Sequence, residues 1–272
     1  MSERAIEHSL GWVSMVWAQA RLNLTVMMRM RGLAFTVLLL PLFLAVMNTS
    51  AARVTVNGVP AGVFGAVGAL AVVFPFSYMT ITSGIVVRRE ERIYKRLRGS
   101  ALPTSAIFAG DVLHASLIGA VQCAAILAYA MAAVQAPLPR NIPLMLVAFV
   151  LGAAVFAALA IGTAGFIPNY EVAQIVALPV LFGSLVGAGM MLPLSALPDW
   201  AQRVAEVLPL TPVMTMIRTA YLGRDFGQDA APEVGFLEAF QVSAAELGIG
   251  LLWIGVGLWS TRKYFRWDPR RS

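Results

Sequence analysis

Arg88-Arg89-Glu90-Glu91-Arg92-Ile93-Tyr94-Lys95-Arg96-Leu97-Arg98-Gly99-Ser100-Ala101-Leu102-Pro103 is a dense block of charge in an otherwise apolar chain, with a long hydrophobic run on either side. Within it, Ile93, Tyr94 and Leu97 share a helical face at i, i+1 and i+4. Glu91 stands four residues before Lys95, the better orientation for a helical ion pair. Gly99 suits the position just past a helix end, and Pro103 keeps the helix from running on. The block reads as a short, basic, amphipathic helix over 88–103, held between two membrane spans. Its plainer reading is a solvated loop that only fixes orientation.

Composition sets the frame for that block. Of 272 residues, 59% are hydrophobic and only 12% charged, and the mean hydropathy is +0.76, which describes an integral membrane protein rather than a soluble domain. The net charge of +6 gathers at the expected membrane edges, where the lipid bilayer's anionic headgroups are a sufficient partner, so no nucleic acid is invoked. Cys123 is the single cysteine and allows no internal disulfide. No cleavable signal peptide is expected, because the first 30 residues carry acids and arginines but no compact apolar core. The only lysines, Lys95 and Lys263, do not follow a glycine, so the chain has no P-loop for ATP. HExxH, CxxC and GxSxG are all missing, and His8 and His114 are the only histidines. A metal site or serine triad thus has no support, and the chain is not expected to be an enzyme or to hold a cofactor by itself.

Taken in order, residues 10–31 form an expected interfacial helix. Val13, Val16, Trp17, Ala20, Leu24, Met27 and Met28 recur at helical spacing, opposite Ser14, Arg21, Thr25 and Arg29. Six spans follow at about 33–51, 61–87, 105–135, 142–166, 172–192 and 243–261, each judged against the roughly 20 apolar residues that cross a bilayer. Fifteen basic residues lie in the N-terminal segment, the 88–98 block and the tail, against five on the other side (Arg53, Arg140, Arg203, Arg218 and Arg224). That bias puts both termini in the cytoplasm. The external segment 193–241 carries two short amphipathic helices. One has Trp200, Val204, Val207 and Leu208 on a face; the other has Thr211 as N-cap, Pro212 at its first position and Gly223 as its stop. Together they suggest a re-entrant or interfacial hairpin. The expected fold is therefore an all-α integral membrane protein, a single transmembrane domain spanning 1–272.

Some polar residues fall at membrane depth. Asp111 and His114 lie three apart in the third span, about 10 Å from its cytoplasmic start at the usual helical rise. They read either as a proton relay or, for Asp111, as the partner of an arginine in the preceding block. Ser77, Tyr78, Thr80, Thr82 and Ser83 follow a proline, Pro75, in the second span. They could line a pathway, or satisfy backbone groups that the proline frees. Gly183 and Gly187 form a GxxxG in the fifth span, suited to close packing within the subunit or between subunits.

Three features now converge on a family. Glu90-Glu91, then Lys95-Arg96-Leu97-Arg98, then Leu102-Pro103 is the first. Leu197-Pro198-Asp199-Trp200-Ala201-Gln202, then Leu208-Pro209-Leu210-Thr211, Arg218 and Gly223 is the second. The third is the order itself, an interfacial helix and six spans with a long external segment only before the last. The chain resembles the membrane permease subunits of type-2 ATP-binding-cassette transporters, the group that includes daunorubicin-resistance exporters. Many members have a Gly-Thr pair where this chain has Ile93-Tyr94. The resemblance implies a permease of the cell's inner membrane that exports a drug, lipid or lipid-linked glycan. It would pair with a separate ATP-binding subunit, which holds ATP and Mg, and with a second permease subunit. It assigns docking on that ATPase to Glu90, Glu91, Ile93, Tyr94, Lys95, Arg96, Leu97 and Arg98. A secondary, ion-coupled transporter is the alternative, but that reading expects an inverted repeat, and none is visible.

The charge bias makes a direct prediction. In a Cys123→Ser background, single cysteines replacing Arg96 and Arg266 should label only from the cytoplasm, and one replacing Gln228 only from outside. Labelling of positions 96 and 228 from the same face would end the six-span topology.

Overall fold

Apolar runs of this length close their own backbone hydrogen bonds as helices, one of the two solutions available in lipid. The computed structural model describes residues 11–29, 31–49, 55–56, 58–93, 103–190, 198–227 and 231–265. Its helices are α1 (Trp12–Arg29), α2 (Arg31–Thr49), α3 (Ala61–Glu90), α4 (Thr104–Ala133), α5 (Ile142–Ala164), α6 (Tyr170–Gly187), α7 (Asp199–Val207), α8 (Leu210–Leu222), α9 (Glu238–Val242) and α10 (Ala244–Tyr264). A two-stranded antiparallel ribbon, β1 (Thr55–Val56) and β2 (Val59–Pro60), turns the chain from α2 into α3. Among the described residues, five helices are long and apolar enough to cross a membrane: α3, α4, α5, α6 and α10. The first expected span falls on α2, a helix of 19 residues.

The centre of the bundle is α3, which packs on α2, α4, α5, α6 and α8. From Ala66 to Pro75 every residue is buried, as expected of a helix apolar all round and enclosed by neighbours. The helix continues through Pro75. Ser77 and Thr80 donate to the carbonyls of Val73 and Phe76 in their own helix, at 2.9 and 3.0 Å.

The tightest pairing is α5 with α10, and small residues allow it. A Cβ on Gly257 would stand 2.5 Å from the Ala158 carbonyl carbon, and one on Gly162 would stand 2.8 Å from the Gly257 carbonyl oxygen. Close backbone approach of this kind is what small residues provide where lipid gives no hydrophobic drive between helices. On α1, Val16, Gln19, Ala20 and Met27 turn inward, while Val13, Trp17, Leu24 and Met28 of the same apolar arc stay outward. The inward face is seated on α4, where Gly110 leaves room for Gln19.

Several boundaries differ from expectation for visible reasons. The second span does not stop at 87; α3 runs to Glu90, its last turn carrying Arg88 and Arg89, where cations suit the helix dipole. The fifth span ends at Gly187 rather than 192. Gly189 is left-handed at φ 68°, its N–H reaches Val186 and the Met190 N–H reaches Leu185, a Schellman stop. Thr211 is not an N-cap. It lies inside α8, with its hydroxyl 2.6 Å from the Ala205 carbonyl and 3.2 Å from that of Gly187. Gly223 is the stop, left-handed at φ 68°. At the turn between α7 and α8, the Trp253 indole donates to the Val207 carbonyl at 2.7 Å. Trp253 lies near the middle of α10, so the tip of this helical hairpin is level with mid-span.

A stability test follows from the α5–α10 contact. Gly257→Leu must push against backbone and should cost about 1–3 kcal/mol, read as a lower melting temperature in detergent. Gly255→Leu, where an added Cβ meets nothing within 4 Å, should melt like the parent.

Candidate functional site

Successive residues on a helix point about 100° apart, so three in a row at a helix end can reach three different neighbours. The last turn of α3 does this with Arg88, Arg89 and Glu90. Arg88 pairs with Asp111 of α4, Nη2 to Oδ2 at 2.7 Å, and its Nη1 donates to the Asn23 side-chain oxygen of α1 at 3.1 Å. The Asn23 amide closes the ring by donating to Asp111 Oδ1 at 2.7 Å. Arg89, only 1% exposed, donates to the carbonyls of Ala164 and Ile167 at the end of α5. The Ala164 carbonyl lies where α5 runs out of its own donors, and that of Ile167 follows in the turn beyond. Glu90 accepts from the Tyr170 N–H at 3.1 Å, at the start of α6, beside the Asn169 cap on Val172 N at 2.9 Å. One turn of helix thus ties α3 to α1, α4, the end of α5 and the start of α6.

Beyond Glu90 the chain leaves the helix. Glu91 and Arg92 make a turn in which Arg92 has φ 56°, and Ile93 re-enters helical geometry. The first three residues of the charged block therefore belong to α3, not to a separate basic helix. Tyr94, Lys95, Arg96, Leu97 and Arg98 lie outside the described residues.

The other expected positions are placed as follows. Asp111 meets an arginine of the preceding block, Arg88. His114 is buried one turn further along α4, with Nε2 lacking a hydrogen-bond partner among the described residues. Tyr78 and Thr82 are fully buried, and the Tyr78 hydroxyl is 3.0 Å from that of Thr163 on α5. Ser83 accepts from Gln174 of α6 at 2.8 Å. The two glycines of the GxxxG part company: a Cβ on Gly183 meets nothing within 4 Å, whereas Gly187 is closed over by Leu208 of the same chain. At the far end of the bundle, Arg218 of α8 lies with its guanidinium carbon 3.9 Å from the Phe64 ring centroid. Asn23, Arg89 and Arg218 are not among the site residues the sequence singled out. Asn23 has a visible signal, a polar residue in the 16–20–23–27 register that otherwise faces inward.

The Arg88–Asp111 contact can be tested on stability. Asp111→Asn removes the negative charge facing Arg88, and breaking a largely buried pair from one side costs on the order of 3 kcal/mol. The purified chain should melt roughly 5–10 °C lower in detergent. Replacing both partners, Arg88→Met with Asp111→Leu, should recover most of that loss. Unchanged melting of the single variant would show that the contact contributes nothing.

With this geometry in place, comparison with known proteins is informative. No curated protein matches the chain. Residues 48–260 match the family model described as ABC-2 family transporter protein, a region running from the end of α2 to the last turns of α10. All three anchors at the end of α3, and the α4, α5 and α6 residues they grip, fall inside it, while α1 with Asn23 lies outside. Well over half of the chain is covered, and five described helices can cross a bilayer. The chain belongs to the ABC-2 family of transporter proteins, as a multi-pass membrane permease subunit whose family implies an ATP-binding partner.

Proposed function

We propose that this chain is the transmembrane half of an ATP-driven exporter that moves a hydrophobic or amphiphilic substrate, a drug, lipid or lipid-linked glycan, out of the cytoplasm. A separate subunit holds ATP and Mg and hydrolyses the nucleotide, and two permease chains work with two such subunits. In this reading α2 also crosses the inner membrane, giving six spans, both termini in the cytoplasm and the α7–α8 hairpin dipping in from outside.

The observation that carries the reading is the last turn of α3. It stands immediately before the charged segment, and it holds four other helices by ion pair or hydrogen bond. A segment docked in an ATPase groove would move with that groove. Its displacement would reach α1 and α4 through Arg88, α5 through Arg89 and α6 through Glu90. Packed elements joined by such contacts shift as bodies rather than deform, so the transmission needs no long wire. Ile93, Tyr94 and Leu97 give that segment an apolar centre, and Glu91, Lys95, Arg96 and Arg98 a charged rim. That is the form of an amphipathic helix seated in a groove, its apolar residues anchoring and its charges steering.

Burying a leucine contributes roughly 1.5–3 kcal/mol, and a charge in its place costs at least as much. Leu97→Asp should therefore insert normally but lose its ATPase on purification, or lose transport. Gln228→Asp, a comparable charge in the external segment, should keep both. Wild-type transport by Leu97→Asp with its ATPase attached would reduce the segment to an orientation signal.

A further inference from the structure

Arg218 is a half-buried cation with no carboxylate partner among the described residues. Its Nε is buried and has no hydrogen-bond partner among them. Arg224, on the same end of the molecule, does have a carboxylate, Glu233 at 3.3 Å. What Arg218 has instead is a shaped berth. One face of the guanidinium lies over Phe64, and the group rests against Gly68, where a Cβ would stand 2.8 Å from Nη2 and 3.2 Å from Met190 Sδ. Glycine at 68 lets the fork lie flat on α3.

A π face offsets only part of the cost of taking a charge out of water. The remainder calls for an anion, and a guanidinium fork suits the paired oxygens of a phosphate or carboxylate. Access and depth fit this. Phe64, Met190 and Arg218 are each only partly buried. Phe64 and Gly68 lie in the first turns of α3, about 10 Å or less from its start at 1.5 Å per residue, near the headgroup level of a bilayer.

We propose that Arg218, backed by Phe64 and Gly68, is a binding site for the oxyanion headgroup of an amphiphile, a phosphate or carboxylate carried on an acyl chain. That this group is met on the outward side rests on the exporter reading; the binding does not.

The permease chain purified alone in maltoside micelles can test this by native mass spectrometry. The probes are dioleoyl phosphatidic acid, oleic acid, dioleoylglycerol and inorganic phosphate. Wild type should retain one phosphatidic acid or oleate, Arg218→Gln about tenfold less, and Arg218→Lys an intermediate amount. Dioleoylglycerol, with no oxyanion, should not separate the three. Should Arg218→Gln fail to fold, Gly68→Ala keeps the charge but displaces the guanidinium, and it should weaken retention too. Equal retention of the anionic lipids by wild type and variant overturns the proposal. So does binding of inorganic phosphate that displaces them, which would make this a free-anion site. Because no ATPase is present, a failure of the Leu97→Asp test leaves this measurement standing, and the reverse also holds.

Discussion

A guanidinium can sit inside a protein only where its charge and its donors are met. Arg89 is enclosed almost completely, and what meets it is the carbonyl end of α5. The Ala164 oxygen carries the negative end of the α5 dipole and has no partner within its own helix, and the Ile167 oxygen lies in the turn just beyond it. The fit serves both sides: α5 gains a cap, and α3 gains a fixed register against it. Arg88 and Glu90 are then aimed by the same helix at Asp111 and at the start of α6. Pull the Arg89 contact out and the other two lose the surface that orients them. This dependence makes the end of α3 one mechanical unit rather than three separate bonds.

That unit sits on a bundle of uneven tightness. On one side α5 and α10 meet backbone to backbone through Gly162 and Gly257. On another, α6 presents Ile175, Leu178 and Phe182 outward, with Gly183 opening on nothing. The close pair has little freedom to slide, because each glycine is filled by the opposite backbone. The open side has apolar surface suited to lipid or to another apolar helix face.

Much of this was legible in the residues, and the misses have physical causes. Helix positions follow from run length, which is why the five long apolar helices lie on the apolar runs of the sequence. Their ends depend on single groups that hydropathy ignores, Gly189 for α6 and the arginines of the last turn for α3. The Arg88–Asp111 contact was accessible because an acid at modest depth needs a nearby cation. Arg89 was not, since its partners are carbonyls and carbonyls leave no mark in a sequence. The 88–103 block looked uniform in charge, yet its first residues continue a span and Arg92 breaks the helix. Periodicity selected Gly183 and Gly187, although the closest helix contact uses Gly162 and Gly257, which only the fold brings together. The Asn57-Gly58 dipeptide between β-branched residues is a hairpin signal too short to stand out among spans.

The hydrogen bond from Trp253 to Val207 also orders events in time. Val207 lies at the end of α7, where a carbonyl has no helical partner, and its donor is 46 residues further along the chain. A ribosome delivers the hairpin well before it delivers α10. Until α10 is made, the Val207 carbonyl lacks this donor, so the contact that ties the hairpin tip to α10 can form only after residue 253 has been synthesised. A chain cut short before Trp253 lacks the donor that holds the hairpin tip against α10.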